Sequence, residues 1–341
     1  MQSLVINPTT ISLLTTNKCT AACKNCCFNC NSKNDTRMSV EDMKNYIDDT
    51  LNAYPSVKLL VLTGGECFTL KDDLKTIIRY AKEKKLLVRC VSNGYWATSF
   101  KKAYLTLKDL IENGLSEINF STGDEHLKWV SLDNIVNGII ASVKLKITVC
   151  INIESSVVST FKHNDLINDS RLKKYKNLLD KQIKIVSGIW MPFTKSSEEE
   201  LSLKSKIKNT RISRCDSLFT TISINPHHKM FACCGLTSNY IPCLYLGDTT
   251  SHSIKELYEY QFSDFVKIWL YNEGPKKIME FISKIEPKYS TVDVSNWHIC
   301  RICAYLLTNS EIMEIIRNNY QKVYTNIMLK HILKQTIVNN K

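Results

Sequence analysis

Strand-like and helical segments alternate along the N-terminal half of the chain, and this order constrains the fold more than any other feature of the sequence. Apolar runs such as 57–63 and 145–153 have the length and composition of buried strands. Segments such as 70–84 instead place apolar residues at helical spacing. Repeated strand-then-helix units predict a parallel sheet with crossover helices.

Six such units lie between residues 10 and 191, which is enough for an open barrel of α/β class. The predicted strands are 11–15, 57–63, 86–91, 118–121, 145–153 and 183–189. The predicted helices are 40–53, 70–84, 100–112, 132–143 and 166–180. Polar residues follow the strands, and the carboxyl ends of parallel strands are where sites are built, so these residues are expected to share one rim.

A polar, charged stretch at 195–210 predicts a domain boundary. Beyond it we expect a hairpin between Cys215 and Cys234, with a turn near 226–229. Helices are expected at 253–271, at 276–284 and in a tail from 310 to 337, with a paired-cysteine element at 300–303. The predicted domains are therefore residues 1–195, 210–310 and 311–341.

Fourteen cysteines are many for a chain without a recognisable signal peptide or a membrane-length apolar run. We therefore expect a cytoplasmic protein, where clustered cysteines favour metal ligation or catalysis over disulfides. The net charge is +12, but Lys is spread along the chain and no RNA-binding signature is present. We expect a solvated basic surface and neither a nucleic-acid nor a membrane partner, while an acidic peptide substrate stays open.

The loop after the first strand (the cysteine loop, residues 16–30) contains Cys19, Cys23 and Cys26 in the spacing C-x3-C-x2-C. Three thiolates can ligate three irons of a [4Fe-4S] cluster and leave the fourth iron open to another ligand. The alternative is a zinc site to which Cys27 and Cys30 supply further thiolates.

Two more motifs follow in order: Gly64-Gly65-Glu66 after the second strand and Ser92-Asn93-Gly94 after the third. With the cysteine spacing, they make residues 10–190 resemble the radical S-adenosylmethionine (SAM) superfamily. The resemblance implies a partial (β/α)6 TIM-like barrel, a [4Fe-4S] cluster on Cys19, Cys23 and Cys26, SAM bound at its open iron, and an external electron donor.

The resemblance also implies which residues bind SAM. Gly64 and Gly65 allow close backbone approach, and Glu66 matches the residue that contacts the SAM amino group. Further candidates for the SAM carboxylate, ribose or adenine, or for substrate, follow later strands: Ser92, Asn93, Ser121, Thr122, Asp124, Asn152 and Glu154. The alternative for these later positions is an ordinary strand-end cap or turn.

Two positions near these motifs are less readily assigned. Asn25 stands where the family usually has an aromatic residue against adenine, with Phe28 as the candidate replacement. His126 is a candidate base or orienting group, and a packing histidine is the alternative.

The cysteines beyond residue 210 resemble those of SPASM/twitch auxiliary domains, which occur in peptide-modifying radical SAM enzymes. Four of them can ligate a second, auxiliary [4Fe-4S] cluster, with a structural zinc site as the alternative. The implied ligands are Cys215, Cys233, Cys300 and Cys303.

Cys234 directly follows Cys233, and successive side chains in an extended segment point apart. One of the pair can therefore ligate iron while the other donates a hydrogen atom, as in radical SAM peptide epimerases. This resemblance implies a hydrogen-abstracting enzyme that converts L- to D-residues in a ribosomally made peptide, with Cys234 as catalytic donor and Cys243 as its rival. The alternatives are a maturase that forms thioether or carbon–carbon cross-links and a non-enzymatic zinc or iron-sulfur protein.

Overall fold

The computed structural model describes residues 5–24, 26–154, 159–188, 215, 217–236, 238–295 and 297–339. The chain divides into two compact units. The sheet unit comprises residues 10–201 and 224–228, and the C-terminal unit comprises residues 1–9, 202–223 and 229–341. The predicted boundary at 195–210 lies outside the described residues.

Six parallel strands form the sheet of the sheet unit, in the spatial order β6-β5-β4-β3-β2-β1. The strands are β1 (Thr10–Leu14), β2 (Leu59–Thr63), β3 (Leu87–Ser92), β4 (Leu115–Thr122), β5 (Thr148–Glu154) and β6 (Ile183–Gly188). Each strand after β1 pairs with the one before it in sequence, so consecutive strands are neighbours in the sheet. The sheet is not closed, so the predicted partial (β/α)6 barrel is confirmed.

Crossover helices connect these strands. They are α1 (Val40–Ala53), α2 (Asp72–Glu83), α3 (Phe100–Asn113), α4 (Asp124–Leu127), α5 (Leu132–Lys144) and α6 (His163–Ile167). The predicted helix 166–180 is wrong as a continuous element, because α6 ends at Ile167 and a 3-10 helix follows only at Lys173–Leu178. The Asp169 carboxylate accepts the Arg171 backbone N–H at 2.9 Å, a local bond that competes with the helical pattern.

Buried apolar side chains alternate along the central strands and fix the sheet register. Leu60 and Leu62 on β2 and Ile118 and Phe120 on β4 are fully buried. A one-residue slip would turn each of these side chains to the opposite face, so burial specifies the register strongly. The carboxyl ends of β1 to β5 are therefore held side by side.

The C-terminal unit contains three short strands and six helices among its described residues. The strands are β7 (Thr221–Ile224), β8 (Lys229–Phe231) and β9 (Tyr245–Asp248), in the order β7-β8-β9. The helices are α7 (Ile254–Tyr260), α8 (Phe265–Glu273), α9 (Pro275–Ile285), α10 (Ile299–Thr308), α11 (Ser310–Asn319) and α12 (Gln321–Asn339).

Strands β7 and β8 with the turn between them form the predicted hairpin, whereas the single helix predicted at 253–271 is two helices. Asp264 breaks it by capping α8, where its carboxylate accepts the Val266 N–H at 2.9 Å. Among the described helices, none has both the length and the apolar character needed to cross a membrane.

Candidate active site

The predicted ligands Cys19, Cys23 and Cys26 lie together in the cysteine loop. Cys19 is buried with Ala21 and Cys30, and Cys23, Cys26 and Phe28 pack against that group. Backbone N–H groups donate to two of the sulfurs. The Ala21 N–H lies 3.4 Å from Cys19 Sγ, and the Cys30 N–H lies 3.4 Å from Cys26 Sγ. Such donors stabilise thiolates and the sulfurs of iron-sulfur clusters.

The three thiols differ in acidity. Burial raises the pKa of Cys19 to about 11 and also raises that of Cys23. The hydrogen bond with the Cys30 thiol outweighs burial at Cys26 and lowers its pKa to about 6. Metal loading at neutral pH must therefore displace protons mainly from Cys19 and Cys23.

Cys30 is itself a buried thiol that supports the loop. It donates to the Phe28 carbonyl at 3.6 Å, and the hydrogen bond with Cys26 together with burial raises its pKa. Within the described part of the chain, no three His, Cys, Asp or Glu side chains are arranged to hold a single metal ion. Asn25 lies outside the described residues.

Gly64 and Gly65 bring the end of β2 against the backbone of the cysteine loop. The Gly65 N–H donates to the Thr16 carbonyl at 2.6 Å, and the Glu66 N–H donates to the Lys18 carbonyl at 2.9 Å. A Cβ at Gly64 would lie 2.6 Å from the Thr16 oxygen, and a Cβ at Gly65 would overlap the Lys18 carbonyl. The close approach visible at both glycines is thus to this chain's own backbone.

Glu66 is fully buried at the end of β2. Its carboxylate accepts the Phe68 N–H at 3.1 Å and the Asn93 N–H at 2.7 Å. Burial raises its pKa to about 7 despite these hydrogen bonds. A buried carboxylate of this kind gains most from a cationic partner such as an ammonium group.

Stability of the cofactor-free protein should depend on pH through Glu66. Its pKa rises from 4.5 in the unfolded chain to about 7 in the fold, so its contribution is fully present below about pH 4.5 and is lost as pH rises through about 7. We expect the unfolding free energy to fall by about 3 kcal/mol from this group between these limits. Denaturant unfolding of wild type and Glu66→Gln across this range measures it, and equal slopes for both proteins would contradict it.

Ser92 and Asn93, at the end of β3, have different hydrogen-bond partners. Ser92 Oγ accepts from the Gly94 N–H at 3.0 Å and from Trp96 Nε1 at 2.9 Å, which places Ser92 as a turn residue. Asn93 faces the cysteine loop, where Nδ2 donates to Thr20 Oγ1 at 3.0 Å and approaches Cys19 Sγ at 3.6 Å. Of the two residues, Asn93 is therefore the one beside the candidate ligands.

Of the predicted SAM or substrate contacts, Ser121 and Thr122 end β4 and Asp124 follows it, and they are only partly available to a ligand. The Asp124 carboxylate accepts from Thr160 N–H and Oγ1, both at 2.7 Å, and from the Phe161 N–H at 2.9 Å, so it anchors the segment after β5. Ser121 is half-buried, and the buried Thr122 hydroxyl has no hydrogen-bond partner among the described residues.

The two candidates on β5 differ sharply in exposure. Asn152 is exposed and lies beside Gly188. Glu154 is buried, and its carboxylate accepts the Glu125 N–H and lies 2.8 Å from His126 Nδ1. The sequence analysis did not single out Glu125. The signal that could have found it is the polar run 124–126, which closely follows a strand.

The four cysteines predicted as auxiliary ligands lie in one group of the C-terminal unit. A Cβ at Gly235 would be 3.4 Å from Cys233 Sγ and 3.5 Å from Cys300 Sγ, so both sulfurs flank this glycine. Burial raises the pKa of Cys233, and nearby Cys215 and Cys303 raise it further. These thiols are therefore near one another, with Cys233 buried and the other three partly buried.

Two further cysteines border this group. Cys234 is exposed whereas Cys233 is buried, so the adjacent side chains do point apart. The Cys234 Sγ lies 3.9 Å from Ser217 Oγ. Cys243 is partly buried and close enough to Cys303 to influence its pKa.

Comparison with known proteins finds a family model that matches most of the sheet unit's described strands. Residues 13–153 match the family model described as "Radical SAM superfamily". The YydG protein of Bacillus subtilis (strain 168), whose name assigns it to peptide biosynthesis, is 27% identical over 131 residues. That match covers 38% of this chain and 40% of the relative's length, so the chain spans well under half of the curated relative it matches.

Solved structures share the fold over most of the chain. "Native anSMEcpe with bound AdoMet and Cp18Cys peptide" matches with a TM-score of 0.54 and 12% identity, covering 95% of this chain and 99% of that one. "Native anSMEcpe with bound AdoMet" matches with the same TM-score and coverage at 13% identity. At these identities the likeness shows a common fold.

Proposed function

Because residues 13–153 form a radical SAM domain, we propose that this protein is a radical SAM enzyme that modifies a ribosomally made peptide by converting L- to D-residues. The observation that supports the first part is the group of three thiols at the carboxyl end of β1, beside the buried Glu66. A peptide substrate is supported by the name of the Bacillus subtilis relative and by the peptide bound in the anSMEcpe structure.

The residues at the strand ends fit the two cofactors. Soft thiolates at Cys19, Cys23 and Cys26 are the donor set that iron-sulfur clusters prefer, and N–H groups already point at two of the sulfurs. Glu66 offers a desolvated carboxylate for the SAM ammonium. When bound, the reduced cluster and SAM supply a carbon-centred radical that removes a hydrogen atom.

A second cluster is proposed on Cys215, Cys233, Cys300 and Cys303 in the C-terminal unit. The sulfurs of Cys233 and Cys300 near Gly235 support it, as does the influence of Cys215 and Cys303 on the pKa of Cys233. Four thiolates complete the ligation of a [4Fe-4S] cluster, so this cluster would have no open iron. The protein would then contain about eight irons per chain.

Cys234 is the proposed hydrogen-atom donor, because it is exposed directly beside a buried ligand. Loss of the peptide Cα–H hydrogen leaves a carbon radical at Cα. The Cys234 S–H then gives its hydrogen atom to the other face of that carbon, which yields the D-residue and a sulfur radical. One electron and one proton from the external donor restore the thiol.

The proposal is tested in D2O with protein reconstituted with iron and sulfide, SAM, dithionite and candidate short peptides, chosen from open reading frames beside the gene. We expect 5′-deoxyadenosine and a peptide that is heavier by one deuterium at a single Cα. Loss of two hydrogens would instead show cross-linking, and a colourless zinc protein without 5′-deoxyadenosine would show a non-enzymatic metal protein.

Replacing Cys234 by alanine should separate hydrogen abstraction from hydrogen donation. We expect 5′-deoxyadenosine to form while D-residue formation falls at least about a hundredfold, since the variant lacks the donor. Chiral analysis of the hydrolysed peptide measures this, with Cys243→Ala as the matched control that keeps both products. The reverse pattern, with D-residues lost only in Cys243→Ala, would make Cys243 the donor.

A further inference from the structure

A carboxylate from the turn after β4 reaches into the cysteine loop. Oε2 of Glu125 accepts the backbone N–H of Lys24 at 3.2 Å. Lys24 lies between Cys23 and Cys26, so this bond is made to the stretch of backbone that separates two candidate cluster ligands. The Glu125 side chain itself is mostly buried, with 19% of its surface exposed.

Glu154 at the end of β5 fixes the position of Glu125. Its buried carboxylate accepts the Glu125 backbone N–H with one oxygen and lies 2.8 Å from His126 Nδ1 with the other. Gly123 packs directly on the Glu154 side chain, where a Cβ would overlap it, and Gly123 has a φ of +131° that favours glycine. The turn that bears Glu125 is thus held on a buried strand end.

We propose that Glu125 is a positioning residue for the cluster-binding loop, linking the Lys24 backbone through Glu154 to the end of β5. This inference rests on the proposed cluster at Cys19, Cys23 and Cys26 and adds a residue that none of the motifs contains. According to this proposal, the cysteine loop takes up its geometry before iron binds, so the metal does not have to order Cys23 and Cys26.

The link depends on an acceptor atom rather than on net charge. The other oxygen of Glu125 forms an ion pair with Lys128, whose side chain is 61% exposed. Glutamine at position 125 keeps an oxygen that can accept the Lys24 N–H but has no charge, whereas alanine removes the acceptor. Lys128→Ala removes the ion pair and leaves the link in place.

The test compares wild type with Glu125→Ala, Glu125→Gln and Lys128→Ala, each reconstituted with iron and sulfide without oxygen. A ferrous chelator and iodoacetamide are added, and mass spectrometry follows alkylation of Cys23 and Cys26 separately from the C-terminal cysteines. We expect alkylation about tenfold faster in Glu125→Ala, the order of magnitude for one lost hydrogen bond. The other two variants should stay within about twofold of wild type.

Equal rates in Glu125→Ala and wild type would overturn the proposal. So would Glu125→Gln and Lys128→Ala accelerating as much as Glu125→Ala, because charge would then be the cause. A second measurement uses cluster-free protein, in which alkylation of Cys23 and Cys26 should again be about tenfold faster in Glu125→Ala than in wild type. If wild type takes up no iron at this loop, the proposed function fails, while the cluster-free measurement still decides whether Glu125 positions the loop.

Discussion

Replacing Cys23 by alanine is expected to abolish formation of 5′-deoxyadenosine from SAM. Two remaining thiolates cannot hold three irons of a [4Fe-4S] cluster, and without the open iron SAM loses its binding site. Cys23 packs with Cys26 against the buried group that contains Cys19, so the substitution removes one of the three sulfurs that lie together. Chromatography after anaerobic incubation with SAM and dithionite measures the product.

The iron content gives the same prediction a second readout. Cys23→Ala should retain about four irons per chain of about eight, since only the cluster of the sheet unit is lost. Cys303→Ala should lose the other four. The matched control is Cys150→Ala, which removes a partly buried cysteine on β5 and should leave iron and product unchanged. Continued 5′-deoxyadenosine formation by Cys23→Ala would refute the ligand assignment.

Replacing Gly65 by alanine should destabilise the sheet unit by about 3 kcal/mol or more. The added methyl would overlap the Lys18 carbonyl oxygen, lie 2.7 Å from its carbon and lie 3.1 Å from the Asn17 carbonyl carbon. These atoms are backbone, and the Glu66 N–H holds the Lys18 carbonyl, so they cannot turn aside as a flexible side chain would. Urea unfolding of the cluster-free protein measures the loss.

Gly188→Ala is the matched control for Gly65→Ala. Its methyl would also overlap a neighbour, but that neighbour is the amide of the exposed Asn152, which can rotate away. We expect a loss below about 1 kcal/mol. Equal stability losses in the two variants would contradict the prediction, because the cost of Gly65→Ala would then not come from the close approach of the cysteine-loop backbone.

The hydrophobic pattern and the order of the segments were enough to predict the parallel sheet. Runs such as 57–63 are short, apolar and separated by segments of helical spacing, and such repeats favour a parallel sheet with crossover helices. The predicted helix at 166–180 failed as one element where Asp169 accepts hydrogen bonds from the Arg171 N–H and guanidinium, local bonds that compete with the helical pattern. Local competition of this kind is not visible in periodicity.

The cysteine spacing also determined the chemistry of the candidate site, because three thiols within eight residues of loop can meet without help from the rest of the chain. The partners of the later polar residues were decided only by the tertiary structure. Ser92 accepts a local hydrogen bond from Trp96, whereas Asp124 is bonded to Phe161, 37 positions later, and Glu154 holds a turn that lies 29 positions earlier in the sequence. Which carboxylate meets which donor depends on the packing of strand ends that are far apart in sequence, and no spacing rule contains that information.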